Sequence, residues 1–548
     1  MSSVFVQESP RLVNTYASNE LLKTYLAWKL GPDLLASMEP ELLELGELAA
    51  GRLFDLQRAD RCNEPMLTQW DAWGTRVDQI ETTALWREAE RLAVRLGLTA
   101  IPYERKEGPW SRTRQFALVY LFHPVTDVYS CPLAMTDGAA RALVDSRNSR
   151  LIERAVPHLT SRDPTRFWTS GQWMTESTGG SDVGLSRTIA RRDASGVWRL
   201  QGKKWFTSAV TSQMALTLAR PEGNGPGGSG LAMFYLETRN EDGSLNGIRV
   251  ERLKDKLGTR KVPTAELSLE GTVCEPVAGM TNGTRAIEPM LKITRTWNSV
   301  CAVAFMRHGL ALAKDYAQRR RAFGARLADQ PLHRETLAGL EAETAAAFLL
   351  TFLLIELLGR EEAGPIDEDE AVLLRFLTPI VKLATGRQAV HVVSETLEAF
   401  GGAGYIEDTG IPVLLRDTQV LPIWEGTTNV LSLDALLRAD AERALAVLLR
   451  RVRRATGTPG HGEFRSSADA ACAAIEHACR WRTTVKDREA LQAGARRFAM
   501  TIARALELAL VVEYGQAMRD EAAVLASRQW CRLLRRAGID SIQDETGC

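Results

Sequence analysis

The sequence lacks an excess of charge of either sign: 68 Lys and Arg stand against 68 Asp and Glu over 548 residues. Bulk electrostatics therefore points to neither a nucleic-acid nor a membrane partner. A metal signature is missing too. Eight cysteines and seven histidines are scattered, with no Cys-x-x-Cys pair or Cys/His cluster at ligand spacing. Cys472 and Cys479 read as packing positions on one helix, and a reduced, cytoplasmic setting is expected. Met1 to Glu8 has no basic stretch leading into an apolar run, so no secretory leader is expected. The most apolar stretch, Ala345 to Leu358, contains Glu356, looks too short to cross a bilayer and reads as a buried helix. No membrane role is expected.

What is present is an ordinary globular composition, 45% apolar and 25% charged, on a chain long enough for several packed units. Arg outnumbers Lys and Ala is abundant, which suggests a GC-rich bacterial genome. Up to residue 168 the apolar spacing is helical, as in Leu21–Trp28 and in Trp86–Leu96, which stops at Gly97. Over 169–285 it becomes β-like. Asp193-Ala194-Ser195-Gly196 reads as a turn before the strand Val197–Phe206, and Leu231–Leu236 and Ala265–Gly271 read as further strands. The helical period returns over 287–322, 333–360, 370–400 and 430–455. Thr456–Gly462 then breaks it ahead of a last helical piece, 466–537. The fold class is α+β.

Four segments carry chemistry. In Met174-Thr175-Glu176-Ser177-Thr178-Gly179-Gly180-Ser181-Asp182-Val183, small residues let backbone N–H groups approach a ligand, and hydroxyls can bond a ring edge or a phosphate. Alone it is a polar turn. Trp205-Phe206-Thr207 follows; on a strand Trp205 and Thr207 should share a face, able to cover a flat ring and bond its edge. The plain alternative is β-core packing. Arg320-Arg321-Ala322-Phe323-Gly324 ends a helix, where arginine is favoured in any case but also suits pyrophosphate. Ile423-Trp424-Glu425-Gly426-Thr427-Thr428-Asn429 sets a carboxylate among apolar neighbours. Gly401-Gly402-Ala403-Gly404, preceded by Glu398, lacks the strand before it that a dinucleotide fingerprint requires.

In this order and spacing the segments resemble the acyl-CoA dehydrogenases. The resemblance implies that family's fold: an N-terminal helical domain (1–168), a middle β domain (169–285), a helical bundle with the catalytic loop (286–440), and here an extra helical extension (441–548). It implies FAD, with Met174, Thr175, Gly180 and Ser181 along the flavin and pyrophosphate, and Trp205, Phe206 and Thr207 at the ring, Thr207 near N5. Arg320, Phe323, Glu398, Gly401 and Gly402 would reach the FAD of a neighbouring subunit in a homotetramer, and Thr427 and Asn429 would touch the cofactor. Glu425 would be the base that takes the α-proton of an acyl thioester while the β-hydride goes to flavin N5. A carboxylate suits that task when substrate excludes water around it. Some branches carry the base on the preceding helix, but here that stretch is Lys292-Ile293-Thr294-Arg295-Thr296-Trp297-Asn298, and Glu288 falls two turns too early. Arg295, with Ser181, would contact substrate. Lys292 stands where many relatives place an acidic group on the CoA adenosine end.

Asp71–Asp78 and Cys131-Pro132-Leu133-Ala134-Met135-Thr136 resemble segments of the AidB-type flavoproteins, as does the total length. The main expectation is desaturation of an acyl thioester, on CoA or a carrier protein, with an electron-transfer flavoprotein or oxygen as acceptor. One alternative is a DNA-associated protective flavoprotein of the alkylation response. Its candidate surface is the extension, where residues 431–548 carry 19 basic and 15 acidic side chains, among them Arg450, Arg451, Arg453, Arg454, Arg496, Arg497, Arg535 and Arg536. Another is a biosynthetic flavin oxidase or monooxygenase on the same scaffold.

Overall fold

The long apolar-striped segments do form long helices. In the computed structural model they span Glu288–Arg319, Pro331–Ala363 and Glu368–Ala399. The structure describes residues 7–456 and 462–535; residues 1–6 and 457–461, inside the expected Thr456–Gly462 break, and Arg536 onward lie outside them. The fourth stripe is two helices, Thr428–Leu437 and Ala441–Thr456, and the last piece is three, Arg465–Thr484, Arg488–Ala517 and Glu521–Leu534. Asp487 and Asp520 explain two of these restarts: each accepts a backbone N–H three residues on, the N-cap bond that opens a new helix.

The chain divides into two compact units. The first gathers Met1–Phe54, Arg105–Pro124 and Asn298–Cys548, and is helical. Its core includes an aromatic cluster in which Tyr25, Tyr120 and Phe352 surround Phe348 at ring separations of 5.4, 5.5 and 4.2 Å. Pro331–Ala363 is longer than the apolar run suggested. A stretch of it has a mean hydropathy of 1.7, enough to cross a membrane, but that stretch is wholly buried within the protein. Its Glu356 is satisfied by the Tyr25 hydroxyl and by Lys29 at 3.0 Å. The extension is tied to the bundle helices by a buried cluster: Gln388 Nε2 donates to Glu343 at 3.1 Å and to Glu507 at 2.8 Å, with Arg504 3.1 Å from Glu507.

His123 is fully buried in this unit, its ring 4.2 Å from that of Phe305. Burial, with His308 beside it, pushes its pKa down to about 3. An unfolded chain takes up this proton near pH 6.5, so the fold should lose about 1.4 kcal/mol per pH unit as pH falls below about 6.5 towards 3. Thermal unfolding of His123→Gln over that acid range should show a shallower pH dependence than the parent; an unchanged slope would contradict the assignment.

The second unit, Asp55–Glu104 with Val125–Trp297, holds the β structure. A hairpin, β1 (Met66–Trp70) with β2 (Arg76–Glu81), interrupts the helical N-terminal region, contrary to expectation. Its five- and six-residue strands are too short for a period to register, and Gly74, at φ +84°, turns the chain between them. The main sheet contains β3 (Ser170–Trp173), β4 (Ile189–Arg192), β5 (Trp198–Ser208), β6 (Met214–Pro221), β7 (Ala232–Glu237), β8 (Ile248–Leu253) and β9 (Thr264–Pro276). The path runs β3-β6-β4-β5-β9-β7, and a β6–β7 pairing closes it on itself, with β8 on β9. Inward side chains such as Trp173, Leu200, Phe234, Leu267 and Leu269 fill its core.

Candidate active site

In the second unit, the segment 174–183 leaves the end of β3 as a tight turn. Gly179 N donates to Glu176 O at 2.9 Å, with Gly179 at φ +118°. Met174 is buried, Thr175 half-buried, and Gly180 and Ser181 face solvent. A Cβ at Gly180 would lie 2.6 Å from Thr175 Oγ1, so a larger residue there would push the threonine side chain aside. The loop is nailed down by Glu176, which sequence reading passed over. Its carboxylate accepts from Arg187 N at 2.7 Å, Thr188 Oγ1 at 2.6 Å and Lys204 Nζ at 2.9 Å, and Lys204 is fully buried. Burial works to raise the pKa of Glu176, but Lys204 and these donors outweigh it and hold it below the usual value. Nothing local marks the pair, because Lys204 follows Lys203 on a strand that also carries Arg199 and Gln201.

Trp205 N donates to Thr175 O at 3.0 Å, so the second motif meets the first. The expected alternation fails here. The β5–β9 register slips between Lys204 and Thr207, a bulge that places two residues opposite one. Lys204 and Thr207 therefore both turn inward, while Trp205 is half-buried and Phe206 is 53% exposed. Thr207 does not share a face with Trp205: it is fully buried, and its hydroxyl donates to Ala265 O at 2.6 Å. Lys254 Nζ, paired with Glu266 at 2.6 Å, sits 3.5 Å from the Trp205 ring centroid.

In the first unit, Glu425 is half-buried and adopts φ +58°, a left-handed conformation that a non-glycine residue keeps only where its surroundings impose it. Gly426 follows at φ +104°, Ile423 is 60% exposed, and the Trp424 indole donates to Asn298. Thr427 and Asn429 are exposed at the start of the Thr428–Leu437 helix. Phe323, fully exposed at φ +52°, forms the tip of a two-residue turn between Arg321–Ala322 and Ala325–Arg326. Arg320 is half-buried just after the Glu288–Arg319 helix. Glu398, Gly401 and Gly402 are exposed where Glu368–Ala399 ends, Gly401 at φ +58°. Arg295 is half-buried on Glu288–Arg319 within the second unit; two residues on, Trp297 donates to Asp137 at 2.8 Å.

The loop of the second unit could hold a flavin nucleotide. It offers the Thr178 hydroxyl, buried with no hydrogen-bond partner, bare backbone at Gly179, and the aromatic pair Trp205 and Phe206. Among the described residues no three metal-ligating side chains cluster.

Residues 281–439 match the model for the acyl-CoA dehydrogenase C-terminal domain, 171–272 its middle domain, and 8–164 the N-terminal domain of the adaptive response protein AidB. The chain is 41% identical over 527 residues to acyl-CoA dehydrogenase family member 11 of Caenorhabditis elegans, covering 93% of this chain and 85% of that protein. It is 31% identical to the putative acyl-CoA dehydrogenase AidB of Escherichia coli, covering 74% and 73%. The crystal structure of C. elegans ACDH-11 in complex with C11-CoA superposes with a TM-score of 0.92 at 37% identity, over 100% of this chain and 98% of that one.

Proposed function

The chain belongs to the acyl-CoA dehydrogenase family, as an FAD-dependent oxidoreductase of its AidB-like branch, and we propose that it desaturates an acyl-CoA with Glu425 as the base. The observation that carries this is the strained backbone at Glu425. A half-buried glutamate held left-handed, between an aromatic residue and a glycine, is conformational strain of the kind that persists at functional sites. The stretch that supplies the base in other branches has Arg295 and Lys292 instead. Glu425 takes the α-proton; Ile423 and Trp424 keep water from its carboxylate once an acyl chain lies across them. Met174, Thr175, Thr178, Gly180 and Ser181 hold the cofactor, Trp205 and Phe206 cover its ring, and Ser181 and Arg295 orient the thioester. Thr207, whose hydroxyl donates to Ala265 O, anchors the bulge beside Trp205 and Phe206 and stands next to the flavin ring. Bound FAD supplies the acceptor for the β-hydride. Arg320, Phe323, Glu398, Gly401, Gly402, Thr427 and Asn429 complete the cofactor site, some of them from a neighbouring chain in a homotetramer, and an electron-transfer flavoprotein or oxygen reoxidises the flavin. The C11-CoA bound to the nematode protein supports a medium-chain acyl-CoA as substrate.

A second reading, duplex DNA carried on the extension, has one observation in its favour. Arg496 and Arg497 line an open cleft of about 740 Å³ beside Trp481, and Arg387 feels the charge of Arg496. Against it, Arg450, Arg451 and Arg453 are committed to Asp369, Glu513 and Glu476. One experiment separates the two. Purified protein is titrated anaerobically with saturated acyl-CoAs of increasing chain length, and in parallel with duplex DNA at several salt concentrations. The expected result is bleaching of the oxidised flavin with release of a trans-2-enoyl-CoA. Salt-steep DNA binding with no bleaching by any acyl-CoA would put the second reading in its place.

A further inference from the structure

Lys382 lies in Val381-Lys382-Leu383-Ala384-Thr385-Gly386, an apolar stretch of the Glu368–Ala399 helix where a cation is out of place. It is fully buried, together with Ile380, Val381, Leu383 and Ala384. A buried ammonium survives only if it is well hydrogen-bonded. Two of its bonds go to the carbonyl oxygens of Trp424 and, at 2.7 Å, of Gly426, the residues on either side of Glu425. The reversed backbone of Glu425 and Gly426 is what lets both carbonyls reach one point. One helical turn further on, Gly386 receives the same loop: a Cβ there would stand 3.1 Å from Leu421 O and 3.2 Å from Pro422 N. One face of one helix, a cation and then a glycine, is thus the seat of the loop.

We propose that Lys382 is the positioning residue of the Glu425 base: by binding the carbonyls on both sides it fixes the glutamate's left-handed backbone. The inference rests on Glu425 being the base. A neutral filler such as methionine would occupy the same space without supplying those bonds, so the role differs from mere packing.

The test uses the FAD-loaded protein and anaerobic flavin reduction by a saturated C11-CoA, matched in length to the C11-CoA of the nematode relative, followed as a function of acyl-CoA concentration. Lys382→Met should keep its flavin and bind the acyl-CoA as the parent does, but lower the limiting rate of reduction by roughly tenfold to a hundredfold through misplacement of the base. Lys382→Arg, which can donate to the same carbonyls, should recover part of that loss. Gly386→Ala, which lifts the loop but leaves the ammonium, should also lower the limiting rate without weakening acyl-CoA binding. A parent-like limiting rate in Lys382→Met would overturn the proposal. Should that variant not fold, a parent-like limiting rate in Gly386→Ala would overturn it. The premise fails separately: reduction of Glu425→Gln at the parent rate would remove the base itself, whereas an inert Glu425→Gln beside a parent-like Lys382→Met would remove only the role of Lys382.

Discussion

Glu425→Gln is expected to bind FAD as the parent does and to lose substrate-driven flavin reduction by on the order of 100- to 10,000-fold, the usual cost of removing a positioned general base. Glutamine matches glutamate in shape and keeps a carbonyl oxygen, so the left-handed backbone and the loop's bonds to Lys382 need not change. What is lost is the ability to accept the α-proton. Stopped-flow absorbance of the flavin on mixing with acyl-CoA reads the rate, and the spectrum before mixing reads cofactor content. A variant reduced at the parent rate would exclude Glu425 as the base.

The second large effect lies in the cofactor loop. Lys204→Met leaves Glu176 buried without its cation, and breaking one side of a buried pair typically costs about 3–5 kcal/mol. The loss falls on the 174–183 segment, which Glu176 ties to Arg187 N and Thr188 Oγ1, and on β6, where Lys204 also donates to Leu218 O at 2.8 Å. The expected product is a protein that purifies with little flavin and a lowered Tm. Replacing both members, Lys204→Met with Glu176→Gln, should recover part of the stability, since no unpaired charge is then buried. A single variant with the parent's flavin content and Tm would contradict the role assigned to the pair.

The parts legible in the sequence are those written in local chemistry. The turn at Asp193–Gly196, the strands around Leu231 and Ala265 and the long helices from 288 onward follow from period and turn residues. The motif around Glu425 stands out through its resemblance to the family's catalytic loop, since one glutamate beside Ile423, Trp424 and Gly426 would by itself read as a surface carboxylate. Features set by pairing between distant strands were not legible. The bulge at Trp205 and Phe206 depends on how β5 meets β9, and alternation within one strand cannot reveal it; the face expected to be shared by Trp205 and Thr207 fails for that reason. The hairpin at 66–81 was lost because its strands carry no sustained period. Lys382 and Lys204 were hidden for a different reason. Charged residues read as solvent-facing, and only the fold supplies the carbonyls and the carboxylate that let them be buried.

The central claim is that Glu425 removes the α-proton of an acyl-CoA. It is tested most directly by incubating the oxidised FAD-loaded protein in D2O with a 3-thia-acyl-CoA, whose sulfur at the β-position leaves no hydride to transfer. Mass spectrometry of the recovered thioester then reports exchange at the α-carbon alone. Deuterium is expected at that carbon with the parent protein and none above the uncatalysed background with Glu425→Gln. Equal exchange in the two proteins would contradict it.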